Sequence, residues 1–174
     1  MRADAALTRP MTSEADWVTG SVGTFCTVGS AKETACAPGT YNPLEGKEDC
    51  VRCAAGTYQD LEGNITCKAC TPGYYCATGS AAPLPCPGGT RKDPTLTRPM
   101  TSEADCVTCD VGTFCPVGSA HETACAPGTY NPLARQANCV RCAAGSYPAL
   151  DATRNGQAFT PAAYYTTGYD AAGR

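Results

Sequence analysis

Apolar side chains are sparse along this chain, and the rings among them return at fixed places in short phrases. Phe25, Tyr41, Tyr58, Tyr74, Phe114, Tyr130 and Tyr147 all follow glycines closely. The surrounding Pro-Gly and Gly-Thr-Tyr phrases predict a tight turn and then a brief extended strand carrying one aromatic side chain. Gly 18 and Pro 14 punctuate the remainder and oppose long helices and wide sheets. The elements expected are therefore small hairpins, each ring acting as an apolar lid over a disulfide. A row of ligand-contacting aromatics is the alternative reading of the same spacing.

Such a pattern leaves little to bury. Leu, Val, Phe and Ile together make 19 of 174 residues, well under the roughly 20% below which chains usually stay disordered. Ala and Cys supply much of the 43% hydrophobic content. Fourteen cysteines change the picture: all lie between Cys26 and Cys142, a density typical of scaffolds in which bridges replace a core. A disulfide closing a loop of about 15 residues contributes roughly 3 kcal/mol in the chain-entropy model. The fold class expected is small and disulfide-rich: an elongated string of short two-stranded β-hairpin repeats with little hydrophobic core.

The cysteines follow a grammar. A C-x2-C-x2-G-x-Y/F-C phrase ends at Cys76 and again at Cys115. Loops of 13 residues recur in Cys36-APGTYNPLEGKED-Cys50, Cys53-AAGTYQDLEGNIT-Cys67 and Cys125-APGTYNPLARQAN-Cys139, with a longer version from Cys86 to Cys106. A period of 89 residues overlies this, since residues 7–58 match 96–147 at 41 of 52 positions without gaps. The chain thus divides into a degenerate leading repeat at 1–25, tandem cysteine-rich repeats at 26–147, and a mobile tail at 148–174. Tyr164, Tyr165 and Tyr169 in that tail could instead form an adhesive patch.

Spacing alone does not fix connectivity. Suppose the first cysteine of each C-x2-C closes the loop before it and the second opens the next. The pairs are then Cys36–Cys50, Cys53–Cys67, Cys70–Cys76, Cys86–Cys106, Cys109–Cys115 and Cys125–Cys139, with Cys26 and Cys142 unpaired. Gly20 and Gly156 stand where the partners of those two would be, and Trp17 replaces the cysteine found at Cys106 in the duplicate. An interleaved scheme, Cys67–Cys76, Cys70–Cys86, Cys106–Cys115 and Cys109–Cys125, strands Cys36 as well as Cys26. The sequential scheme is preferred, and the interleaved one stays open. Exposed thiols at Cys26 and Cys142 could pair between chains.

The C-x-PGT-Y-x9-C-x2-C phrases at Cys36–Cys53 and Cys125–Cys142, with CTPGYYCATGS and CDVGTFCPVGS, resemble the ephrin-receptor-like cysteine-rich repeat. That family (tyrosine-protein kinase ephrin type A/B receptor-like) belongs to the growth-factor-receptor cysteine-rich superfamily. The resemblance covers roughly residues 17–147 and implies two-stranded elements stacked end to end in large surface proteins. It imports no kinase activity, because neither H-R-D nor D-F-G is present. Trp17, Gly20 and the lost loop after Cys142 depart from the pattern, which puts the folding of the outermost repeats in doubt.

Disulfides persist outside the cell or in the secretory lumen, and Asn64-Ile65-Thr66 is an N-glycosylation acceptor that agrees. A net charge of -3 without a basic run argues against nucleic acid or a membrane surface as partner. MRADAALTRPM has no apolar signal-peptide region, and no stretch is long and apolar enough to span a membrane. The expectation is a fragment of a longer secreted or membrane-anchored parent, located extracellularly or at the cell surface, with any membrane link in the missing parts. Its function is that of a non-enzymatic spacer or a scaffold for an unknown protein or glycan ligand, with no cofactor and no catalytic residue.

Two alternatives remain. Cys50-x2-Cys53-x13-Cys67-x2-Cys70 approaches the spacing of a four-thiolate zinc site in an intracellular module. A decayed gene fragment without independent function is the other. His121 is the one histidine, and its duplicate position holds Lys32, so a solvated side chain is expected there.

Overall fold

The computed structural model describes residues 2–3 and 17–146. Tyr147, Gly156, the tail 148–174 with Tyr164, Tyr165 and Tyr169, and most of the leader lie outside the described residues.

Among the described residues, regular structure consists of eight two-stranded sheets and a 3-10 turn at Glu103–Asp105. In chain order the hairpins are β1 (Arg2–Ala3) with β2 (Trp17–Val18), β3 (Thr24–Phe25) with β4 (Thr34–Ala35), and β5 (Thr40–Tyr41) with β6 (Val51–Arg52). Next come β7 (Thr57–Tyr58) with β8 (Lys68–Ala69), β9 (Tyr74–Tyr75) with β10 (Leu84–Pro85), and β11 (Thr90–Lys92) with β12 (Cys106–Thr108). The series ends with β13 (Thr113–Phe114) and β14 (Thr123–Ala124), then β15 (Thr129–Tyr130) and β16 (Val140–Arg141). This is a small disulfide-rich fold built of short hairpins. The leading repeat also takes part: Arg2 pairs with Val18 as Arg91 pairs with Val107, and Ala3 with Trp17 as Lys92 with Cys106. Hairpin β3–β4 forms although Gly20 replaces a cysteine.

Strands of two or three residues cannot stand alone, so other bonds define each hairpin. The Thr40 amide donates to the Ala37 carbonyl at 3.0 Å, and the Thr40 hydroxyl donates to the same oxygen at 2.7 Å. Thr57, Thr90, Thr113 and Thr129 repeat this doubled turn bond. The hairpin then shuts when the amide of its last cysteine donates to the carbonyl of the opening glycine, as from Cys53 to Gly39 at 2.9 Å.

The chain forms two compact units, Met1–Thr71 with Tyr75–Leu84 and Thr97–Ser102, and Pro72–Tyr74 with Pro85–Leu96 and Glu103–Arg174. Inside each, hairpins are tied to their successors through the backbone. In the first unit Gly39 donates its amide to Gln59 O at 2.7 Å, Gly56 to Cys76 O at 2.8 Å, and Asn42 to Asn64 O at 3.0 Å. A return bond runs from the Gly63 amide to Cys36 O at 2.9 Å and from Gly79 to Cys53 O at 2.8 Å. The second unit repeats the scheme, with Gly89 to Cys115 O at 2.7 Å, Gly112 to Asn131 O at 2.9 Å, and Gly118 returning to Cys86 O at 2.9 Å. Backbone groups that a short hairpin would leave open to water are thereby paired.

Contacts also reach the second hairpin along. Gly39 sits at φ 84°, and a Cβ there would overlap the Gly79 carbonyl oxygen. Gly73 at φ 87° stands in the same relation to the Gly118 carbonyl. Gly128 has a similar φ of 83°, yet nothing lies within 4 Å of its would-be Cβ. Gly128→Ala should therefore lose only the left-handed backbone cost, about 1–2 kcal/mol. Gly39→Ala adds a carbonyl clash and should destabilise more, and denaturant unfolding of the two variants measures the difference.

Candidate functional site

The chemistry-bearing groups concentrate where hairpins join. Six disulfides close local loops: Cys36–Cys50, Cys53–Cys67 and Cys70–Cys76, with Cα separations of 5.7, 5.8 and 6.2 Å, and Cys86–Cys106, Cys109–Cys115 and Cys125–Cys139, at 5.8, 6.4 and 5.8 Å. The C-x2-C pairs Cys50/Cys53, Cys67/Cys70 and Cys106/Cys109 thus each serve two successive loops, whereas Cys139/Cys142 closes only one. Cys36, Cys53, Cys76 and Cys86 are the buried halves of their bridges, and both Cys109 and Cys115 are buried, whereas in the Cys125–Cys139 pair both residues are partly exposed.

Cys26 and Cys142 are free. The structure corrects one expectation here, because Cys26 is 1% exposed rather than open to solvent, whereas Cys142 is only half-buried. The reason is local: Cys26 packs in the position of a bridged cysteine. A Cβ placed on Gly20 would lie 2.9 Å from its Sγ, about where a bonded partner's carbon would sit.

What lies between the bridges is polar. Besides cysteines, Met100 is the sole buried apolar side chain among the described residues, while Asn42, Gln59 and Asn131 are 0%, 1% and 1% exposed. The Asn42 amide Nδ2 donates back to Thr24 O at 2.7 Å, and Asn131 Nδ2 donates to Thr113 O at the same distance. Gln59 Nε2 donates to Thr66 O at 2.6 Å within its own hairpin. These staples were not picked out from the sequence, although the signal exists. Each stands immediately after the ring of a Gly-Thr-Tyr phrase, where three other hairpins place Cys26, Cys76 and Cys115.

The rings are half-buried rather than enclosed. Strand register assigns Tyr75, not Tyr74, to the position of Tyr41 and Tyr58, because the phrase here reads Gly-Tyr-Tyr. Lys68 Nζ lies 5.8 Å from the Tyr58 ring centroid, within cation–π range, and bonds Asp60 Oδ1 at 2.6 Å. That bond with the Lys68 ammonium holds the Asp60 carboxyl below its ordinary 3.8, and Asp60 in turn raises Lys68 above 10.5. His121 is exposed. Asn64 is half-buried at the tip of the Cys53–Cys67 loop. Among the described residues no group of three or more His, Cys, Asp or Glu side chains is placed to hold a metal ion, and no helix is long and apolar enough to cross a membrane.

A local wiring of bridges, turn threonines and glycines therefore repeats from hairpin to hairpin. The family described as tyrosine-protein kinase ephrin type A/B receptor-like matches residues 39–82. Residues 39–82 are thus similar to an ephrin-receptor-like cysteine-rich repeat. The match spans 44 of 174 residues and takes in hairpins β5–β6 and β7–β8 together with strand β9. This family is a non-catalytic ectodomain module. None of the curated proteins compared with the chain matches it.

Three outcomes follow from this geometry. Asn42→Ala removes the staple and takes the side-chain donor from the part-buried Thr24 carbonyl, which should cost about 1–3 kcal/mol in urea unfolding. Alkylation of the native oxidised chain should label Cys142 readily and Cys26 only after denaturant is added; mass spectrometry of the peptides reads both. The Asp60–Lys68 bond is present between the two shifted pKa values, lost as pH falls through the lowered Asp60 value and as it rises through the raised Lys68 value. An NMR titration should find Asp60 below 3.8 and Lys68→Met should bring it back.

Proposed function

We propose that this chain is a non-enzymatic extracellular segment that acts as a spacer or as a scaffold for a protein or glycan ligand in a secreted or cell-surface protein. The observation that carries the reading is the use of sulfur. Six bridges take twelve of the fourteen cysteines, and a fold with so little apolar burial needs them closed. Such bridges last in oxidising compartments. Supporting it is the match to a family of ectodomain repeats.

A thiolate ligand must be free to bind metal, and Cys50, Cys53, Cys67 and Cys70, the zinc candidates, are all bridged. The rings and exposed aliphatic side chains such as Leu44, Leu61 and Val28 offer contact surface without a catalytic group among them.

The test is to secrete the full chain from a eukaryotic host, count thiols without reductant, and measure bound zinc. Two free thiols and no zinc are expected, with resistance to protease that disappears on reduction. Mostly free thiols with stoichiometric zinc would overturn the proposal.

A further inference from the structure

Asn64 heads the Asn-Ile-Thr acceptor, and its surroundings separate the moment at which it can be modified from the state that can hold the product. In the folded chain the acceptor backbone is pinned along its length. The Gly63 amide donates to Cys36 O at 2.9 Å, and Asn64 O accepts from the Asn42 amide at 3.0 Å. Thr66 O accepts from buried Gln59 Nε2 at 2.6 Å, and the next residue is bridged to Cys53. A transferase that must draw the acceptor into its own cleft would have to break these bonds.

The side chain is different. Asn64 Nδ2 makes two long bonds, each 3.4 Å, to Leu61 O and Glu62 O. An N-linked sugar removes one amide proton and leaves the other, so one of those bonds survives. Leu61 and Ile65 on either side are 58% and 46% exposed and could pack against the apolar faces of a sugar.

We propose that Asn64 is an N-glycan site, filled only before the Cys53–Cys67 loop closes and then retained by the folded hairpins. The co-reactant is a polyprenyl-pyrophosphate-linked oligosaccharide. Asn64 Nδ2 attacks its anomeric carbon, the N–C bond forms, and the C–O bond to the pyrophosphate breaks. The lipid pyrophosphate leaves with the electron pair, and the amide proton passes to a base of the transferase. This inference rests on the extracellular reading.

The test secretes the full chain from a glycosylating host and follows the mobility shift on treatment with peptide N-glycosidase. The wild type should give a shifted and an unshifted band, and Asn64→Gln only the unshifted one. Cys53→Ser with Cys67→Ser, or reductant added to wild-type cells during synthesis, should deplete the unmodified band. No shift in any sample would sink the site, and equal occupancy with and without the bridge would sink the timing. Thiol titration of the same secreted wild type tells the two readings apart. Two free thiols with unmodified Asn64 would overturn this inference alone, whereas mostly free thiols would overturn the extracellular reading beneath it.

Discussion

Amide groups handed forward from one hairpin to the next are what the remainder of this structure rests on. A strand of two residues has neither the hydrogen bonds nor the apolar face to persist, and this chain has few aliphatic side chains with which to cover one. Within each unit, hairpins instead complete their backbone pairing with a successor, through opening glycines such as Gly39 and Gly89 and through the residue after the ring, as at Asn42 and Cys115. Disulfides work on the other side of the balance: they remove conformations from the unfolded chain, while the backbone bonds select among those that remain. Neither suffices alone, because a looped chain without the forward bonds would still be free to tumble within its loops.

This division explains which residues are buried. The interior holds sulfur and carboxamides, and Asn42 and Asn131 each return a side-chain bond to the hairpin behind. A carboxamide can satisfy a stray carbonyl that a leucine would leave unpaired, which makes polar burial favourable here. The same crowding removes side chains altogether at Gly39 and Gly73, where a carbonyl two hairpins on approaches the α-carbon.

The class of fold and the family resemblance were legible because both rest on short-range signals. Turn phrases, loop lengths and cysteine intervals all act within about twenty residues, and the bridges of the structure close the 13-residue loops. What the sequence concealed was the bonding between hairpins, since backbone amides leave no side-chain signature. Asn42 and Gln59 read as ordinary loop residues until their amides are seen to donate to Asn64 O and Ser80 O. Burial of Cys26 was hidden for a related reason, because its pocket is built by a neighbouring loop: its amide donates to Lys47 O at 2.9 Å. Trp17 and Gly20 read as damage, yet backbone pairing around them persists, since register does not require the bridge.

The forward bonds of the opening glycines reach acceptors only 19 to 26 residues ahead. A chain wired over such short distances can begin to fold as it leaves the ribosome, each hairpin waiting only for those that follow it closely. It can also gain or lose whole hairpins without rethreading the others, as in other quasi-one-dimensional repeat folds. The near-identity of residues 7–58 and 96–147 is a duplication of the kind such short-range wiring tolerates.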